Sequence, residues 1–259
     1  MQRLIIADTP KYYVSLGDSV SIDAYAGGPG RGAPALLLKN RNDNFPDWAG
    51  RDLVSVLPGA RLIPLAMDGG TAATVRYAQL PRLKEMSVRS SLVTLTIGGN
   101  DLLQAYGNDE AAHAARRALW EHGHAILNDL RATLMTPGAP LVIGTIYDPS
   151  DGTGDTDRLG LLPWPSALDW IARFNETLVA LAGEHGALVA DIHAHFKGHA
   201  LQAGDPTIGC GDTPNRELWL CGTIEPNAWG AHAIRSLWWD TLAASGFFAP
   251  IEPKATPAS

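Results

Sequence analysis

Three short clusters in this chain have the residue types and spacing that acyl chemistry at a serine requires. Gly17-Asp18-Ser19 offers a hydroxyl nucleophile behind a glycine that permits a tight turn. Asp68-Gly69-Gly70-Thr71 and Gly98-Gly99-Asn100-Asp101 offer glycine-exposed backbone N–H groups and one amide side chain. Donors of that kind, aimed at one point, stabilise the negative charge of a tetrahedral intermediate. Each cluster alone is ordinary turn chemistry, with Gly for a positive φ and Asp or Asn as a cap. Their weight lies in position, because each directly follows a run that reads as a strand.

Five apolar runs have this character: 12–16, 61–65, 92–97, 141–146 and 187–192. Each is short, bounded by Gly, Pro or Asp, and nearly continuous, as strands buried on both faces of a parallel sheet are. Helical spacing lies between them. Leu119, Ile126, Leu130 and Leu134 precede the stop at Pro137-Gly138, and Ala167, Ile171, Phe174, Leu178 and Leu181 mark a second face. Ser166 is the expected N-cap of that second helix, with Asp169 in its first turn. Ile234, Leu237, Trp238 and Leu242 mark a last helix after Asn227. Strand–helix alternation along the chain implies right-handed βαβ units and a doubly wound sheet. Ligands bind such sheets at the carboxyl ends of the strands, which is where the three clusters fall. One domain, 1–259, is expected, with 250–259 as a loose tail. Long Gly/Pro/Asp-rich loops at 24–34, 148–162 and 197–221 are expected to frame a site.

Composition narrows the partners. Against 20 Lys and Arg stand 27 Asp and Glu, a net charge of −7. With no basic run to offset it, that balance argues against nucleic acid. No stretch approaches the ~20 apolar residues of a membrane span. Residues 1–10 lack an apolar core of signal-peptide length, so the cytoplasm is the default expectation. Cys210 and Cys221 are too few for a four-ligand zinc site and either pair or stay free. Asp148, Asp151, Asp155 and Asp157 lack the spacing of an EF-hand and read as a solvated acidic loop. The Gly-rich stretch 27–32 fails the dinucleotide fingerprint, so neither a cofactor nor a metal is expected.

Gly17-Asp18-Ser19, Gly70 and Gly98-Gly99-Asn100-Asp101 together resemble the first three blocks of the SGNH/GDSL hydrolases, and the resemblance runs from about residue 12 to about residue 242. It implies a flavodoxin-like three-layer α/β/α sandwich with a five-stranded parallel sheet. It also implies hydrolysis of carboxylic esters, thioesters or acetylated sugars, or acyl transfer, without a metal. By that resemblance Ser19 is the nucleophile, and the Ser19 N–H, the Gly70 N–H and the Asn100 amide form the oxyanion hole.

The last block departs from the family. Family members carry Asp-x-x-His before the final helix; here Gly222-Thr223-Ile224-Glu225-Pro226-Asn227 stands there. Glu225 occupies the place of the catalytic histidine and Gly222 that of its orienting aspartate. Glu225 is therefore the first candidate for the base, since a carboxylate has no tautomer to fix. His193, with Asp191 beside it, is the second candidate, followed by His195 and His199. His113, His122 and His124 are expected to face solvent, His185 to end a helix and His232 to be structural. The reading from another class is a non-catalytic ligand-binding protein on the same frame.

Overall fold

The five apolar runs form five parallel strands: β1 (Lys11–Gly17), β2 (Ala60–Pro64), β3 (Ser90–Thr96), β4 (Leu141–Gly144) and β5 (Leu188–Ala190). The computed structural model describes residues 11–211 and 213–248, so the tail at 250–259 lies outside the described residues. Spatial order is β2-β1-β3-β4-β5. The chain steps from β1 to β2 on one side, then crosses back to place β3 on the other side of β1. That reversal opens a crevice at the carboxyl ends of β1 and β3, where open α/β sheets bind ligands.

Alternation along the inner strands builds two cores. Val14, Leu16, Val93, Leu95 and Ile143 point to one face, against helices Asp109–Asp129 and Ala167–Glu184. Tyr13, Leu92 and Val142 point to the other, with Leu37, Ile234 and Trp238 of helices Ala33–Leu38 and Ala228–Ala244. The result is the expected three-layer sandwich. No described helix is long and apolar enough to cross a membrane.

Several local expectations are corrected. Ser166 is the N-cap residue by position, but its hydroxyl makes no cap bond and instead donates to Asp109 at 2.9 Å. The acidic loop is only partly solvated. Asp148 is buried and accepts from the Ser150 and Gly152 N–H groups, and Asp151 is buried and accepts from those of Gly198, Ala200 and Gln202. Their carboxylates hold loops together. A small antiparallel pair, β6 (Leu220–Cys221) and β7 (Glu225–Pro226), was not legible from two-residue runs. Cys210 and Cys221 form a disulfide, which resolves the open pairing.

Candidate active site

β1 ends at Gly17, whose φ of +125° suits glycine. A Cβ there would fall 2.0 Å from the Thr96 carbonyl oxygen, so β1 and β3 approach this closely only with glycine. Gln79, fully buried, brackets the same residue. Its Oε1 accepts from the Gly17 N–H at 2.8 Å and its Nε2 donates to the Gly17 carbonyl at 2.7 Å. Ser19 then opens a single 3-10 turn, Ser19–Ser21, capped by Asp18, which accepts from the Val20 N–H at 3.1 Å. The Ser19 N–H, at the head of that turn, has no partner within it.

The oxyanion candidates sit beside it. A Cβ on Gly70 would lie 2.5 Å from the Gly17 carbonyl oxygen, so glycine again permits the contact. Asn100, second in helix Gly99–Leu103, donates through Nδ2 to the Gly70 carbonyl at 3.2 Å. Asp101 accepts from the Gly98 N–H at 3.2 Å and the Ala72 N–H at 3.1 Å, tying the two turns together. The Gly70 N–H donates to the Met67 carbonyl at 3.0 Å, so it can serve an oxyanion only as a shared donor.

Glu225 reaches the site on the β6–β7 hairpin, where it pairs directly with Cys221. Gly222 and Thr223 make the turn at φ of +51° and +79°. The disulfide ties β6 to the preceding loop, and the Tyr147 hydroxyl donates to the Ile224 carbonyl. Asn227 caps the final helix, accepting from the Trp229 and Gly230 N–H groups at 2.9 and 3.1 Å. The Glu225 carboxylate faces Ser19. Burial raises its pKa, and the Ser19 hydroxyl partly offsets this by hydrogen bonding to it. Asp68 adds a like charge nearby and holds its own place by accepting from the Tyr25 hydroxyl at 2.8 Å. Among the described residues no group donates to the buried Glu225 Oε2.

Asp18 is buried more deeply. Burial pushes its pKa up to about 7, against hydrogen bonds from Thr96 and Val20 that lower it, while Glu225 and Asp101 add repulsion. An acid whose pKa is raised on folding stabilises the fold below its unfolded pKa and loses that contribution as pH rises through the folded one. Asp18 therefore costs the folded state up to on the order of 4 kcal/mol once ionised above pH 7. Asp18→Asn keeps the acceptor for Val20 and removes the ionisation. Urea unfolding at pH 4.5 and 7.5 should show the variant gaining on the wild type at the higher pH; an identical gap at both pH values would contradict the assignment.

The histidines have partners of their own. His193 sits on the short helix Ile192–Phe196, with Nδ1 3.1 Å from the Ile146 carbonyl. Asp191 does not orient it. That carboxylate caps the helix through the Ala194 N–H and accepts from the Thr145 hydroxyl. His195 tilts against Trp219, and His199 stacks on Trp219 with Nδ1 on the Glu217 carbonyl. His113 is exposed as expected, but His122 bonds Arg76 and His124 bonds His185, both half-buried. His232 is structural: it stacks on Phe45, and burial beside Arg235 lowers its pKa to about 3.

Beside Ser19 and Asn100 runs a cleft of about 120 Å³ along the carboxyl ends of β3 and β4. Loop 148–162 lines it, as expected; loops 24–34 and 197–221 do not. Among the described residues no group of three or more His, Cys, Asp or Glu is placed to hold a metal ion. Two residues that position the site escaped the sequence reading. Gln79 and Tyr147 reach it by contacts 62 and 77 positions away, which no local motif signals.

The GDSL-like lipase/acylhydrolase family model matches residues 15–233. An acetylxylan esterase from Geobacillus stearothermophilus aligns at TM-score 0.60 and 14% identity, over 90% of this chain and 94% of that one. Phospholipase A1 from Streptomyces albidoflavus aligns at TM-score 0.60 and 21% identity, over 90% and 99%. An α/β hydrolase from the Lake Arreo metagenome aligns at TM-score 0.57 and 20% identity, over 92% and 96%. A search of curated proteins returned no match. With the family model spanning most of the sandwich, from β1 into the final helix, the chain belongs to the GDSL-like lipase/acylhydrolase family of ester hydrolases.

Proposed function

We propose that the chain hydrolyses carboxylic esters through an acyl-enzyme on Ser19, with Glu225 in the place of the usual histidine. What supports this reading is the shared position of Ser19 at the end of β1 and Glu225 on the β6–β7 hairpin, close enough that the serine hydroxyl lowers the carboxyl pKa against the burial that raises it. A carboxylate at its ordinary pKa is a weak base near neutrality, and raising that pKa strengthens it.

Ser19 Oγ attacks the ester carbonyl carbon as its proton passes to Glu225. The carbonyl oxygen takes up the negative charge against the Asn100 amide, the Ser19 N–H and the shared Gly70 N–H. Collapse of the tetrahedral intermediate breaks the bond to the alcohol, and protonated Glu225 returns the proton to the leaving oxygen. A water, deprotonated by Glu225, then attacks the acyl-serine; collapse frees the acid and restores both groups. His193 is set aside as base because its ring nitrogen is engaged with the Ile146 carbonyl and its neighbouring Asp191 does not orient it towards Ser19.

The test is covalent. A fluorophosphonate should add a single adduct to the intact protein, and peptide mapping should place it on Ser19. A folded protein that gains no adduct at any pH from 4 to 9 would overturn the reading in favour of a binding protein on a hydrolase frame.

A further inference from the structure

We infer that the cleft beside Ser19 is an acyl site for a short to medium apolar chain of roughly six carbons, or a phenyl ring, and not for an acetyl group. The inference rests on the reading of Ser19 as an acylated nucleophile.

The walls make the first part of the case. The surface beyond Ser19 and Asn100 is built from Leu102, Ile146, Leu159, Trp164, Leu168 and Ile171, and it is predominantly apolar. Trp164 is held rigidly there: its indole N–H donates to Asp109 at 3.0 Å and its ring packs edge-on to Tyr106. Asp148, also at this edge, has its carboxylate turned inward to backbone donors. A sugar ring in this space would give up hydrogen bonds to water for aliphatic side chains, which is unfavourable for every unpaired hydroxyl.

Size makes the second part. A cavity of about 150 Å³ with aliphatic walls takes a benzene molecule, six carbons. This cleft, at about 120 Å³, holds a chain or ring of that order. An acetyl group would leave most of it unfilled.

Direction makes the third part. The leaving alcohol needs a proton from Glu225. Ser19, Asn100 and Ile224 line the cleft, but Glu225, Asp68 and Gly70 do not. The oxygen that must meet Glu225 therefore lies outside the apolar space, and the part of the ester that needs no proton, the acyl chain, lies within it. The alcohol sits on the side of Glu225 and Asp68.

Each methylene moved from water into such a site should raise kcat/KM about fourfold until the cleft is full. The test is a 4-nitrophenyl ester series at pH 6, from acetate through butyrate, hexanoate and octanoate to dodecanoate. It uses wild type and Ile171→Trp, the variant that fills the cleft from helix Ala167–Glu184. Wild-type kcat/KM should climb about 10²-fold from acetate to hexanoate and then stop climbing, and Ile171→Trp should lose that climb. A wild-type profile that is flat or greatest on acetate, with Ser19 still labelled by a fluorophosphonate, would overturn the acyl site and leave the serine mechanism standing. A climb unbroken to dodecanoate would overturn its size. Absence of both turnover and labelling would overturn the mechanism and the acyl site together. Because the wild-type profile alone decides the first two outcomes, a misfolded Ile171→Trp does not rescue the inference.

Discussion

Glu225→Gln should lower kcat/KM by about 10³-fold while leaving the protein folded. General acid–base groups contribute roughly 10²–10⁴-fold, and Glu225 is assigned four successive proton transfers in one turnover. Glutamine has nearly the same shape, and the hairpin that carries it is held by contacts the substitution does not touch. Those are the disulfide, the Tyr147 bond to the Ile224 carbonyl and the Asn227 cap. The amide cannot accept the Ser19 proton, so the loss should fall on kcat with little change in KM. Burial opposes the charge on Glu225, so the variant should also match or exceed the wild type in stability at neutral pH. Full activity in Glu225→Gln would return the base to another group.

Ser19→Ala should lower kcat/KM by about 10⁴-fold or more, because it removes the covalent route. The informative comparison is the double variant. Groups that act as one unit lose their effect together, so Ser19→Ala with Glu225→Gln should be no slower than Ser19→Ala alone. Losses that multiply in the double variant would mean that Glu225 acts on something other than the Ser19 hydroxyl. The oxyanion donors should persist in all three variants, since Asn100 and Gly70 are placed by Asp101 and Gly17 and not by Ser19.

How much of this was legible in the sequence depends on the range of the contacts. The nucleophile turn was legible because its constraints are local: a glycine at positive φ, a capping aspartate and a strand before them. Asn100 was legible for the same reason. Glu225 could be placed because the frame around it has strict local demands. Asn227 must cap the final helix, and a Cβ on Gly230 would fall 2.3 Å from the Trp219 carbonyl oxygen. Partners set by tertiary packing were not legible. Nothing near Gln79 in sequence announces that it brackets Gly17, and nothing near Tyr147 announces a bond across to Ile224. The acidic loop misled for a related reason: carboxylates that look solvated by composition are buried when a backbone turn supplies N–H donors, as one does for Asp151. His193 drew attention through its aspartate neighbour, but that aspartate is engaged in capping its own helix.

The central claim, that a carboxylate and not an imidazole takes the Ser19 proton, is tested most directly by the pH dependence of kcat/KM on one good substrate. An imidazole base with a pKa of ~6.5 would leave only about a tenth of the plateau rate at pH 5.5. Glu225 starts from a lower ordinary value and burial moves it upward, so the owner of the acid limb decides the matter and not its midpoint. The account predicts that the wild-type acid limb belongs to Glu225, so that Glu225→Gln loses the limb along with the rate. The same limb surviving in the residual activity of Glu225→Gln would contradict it.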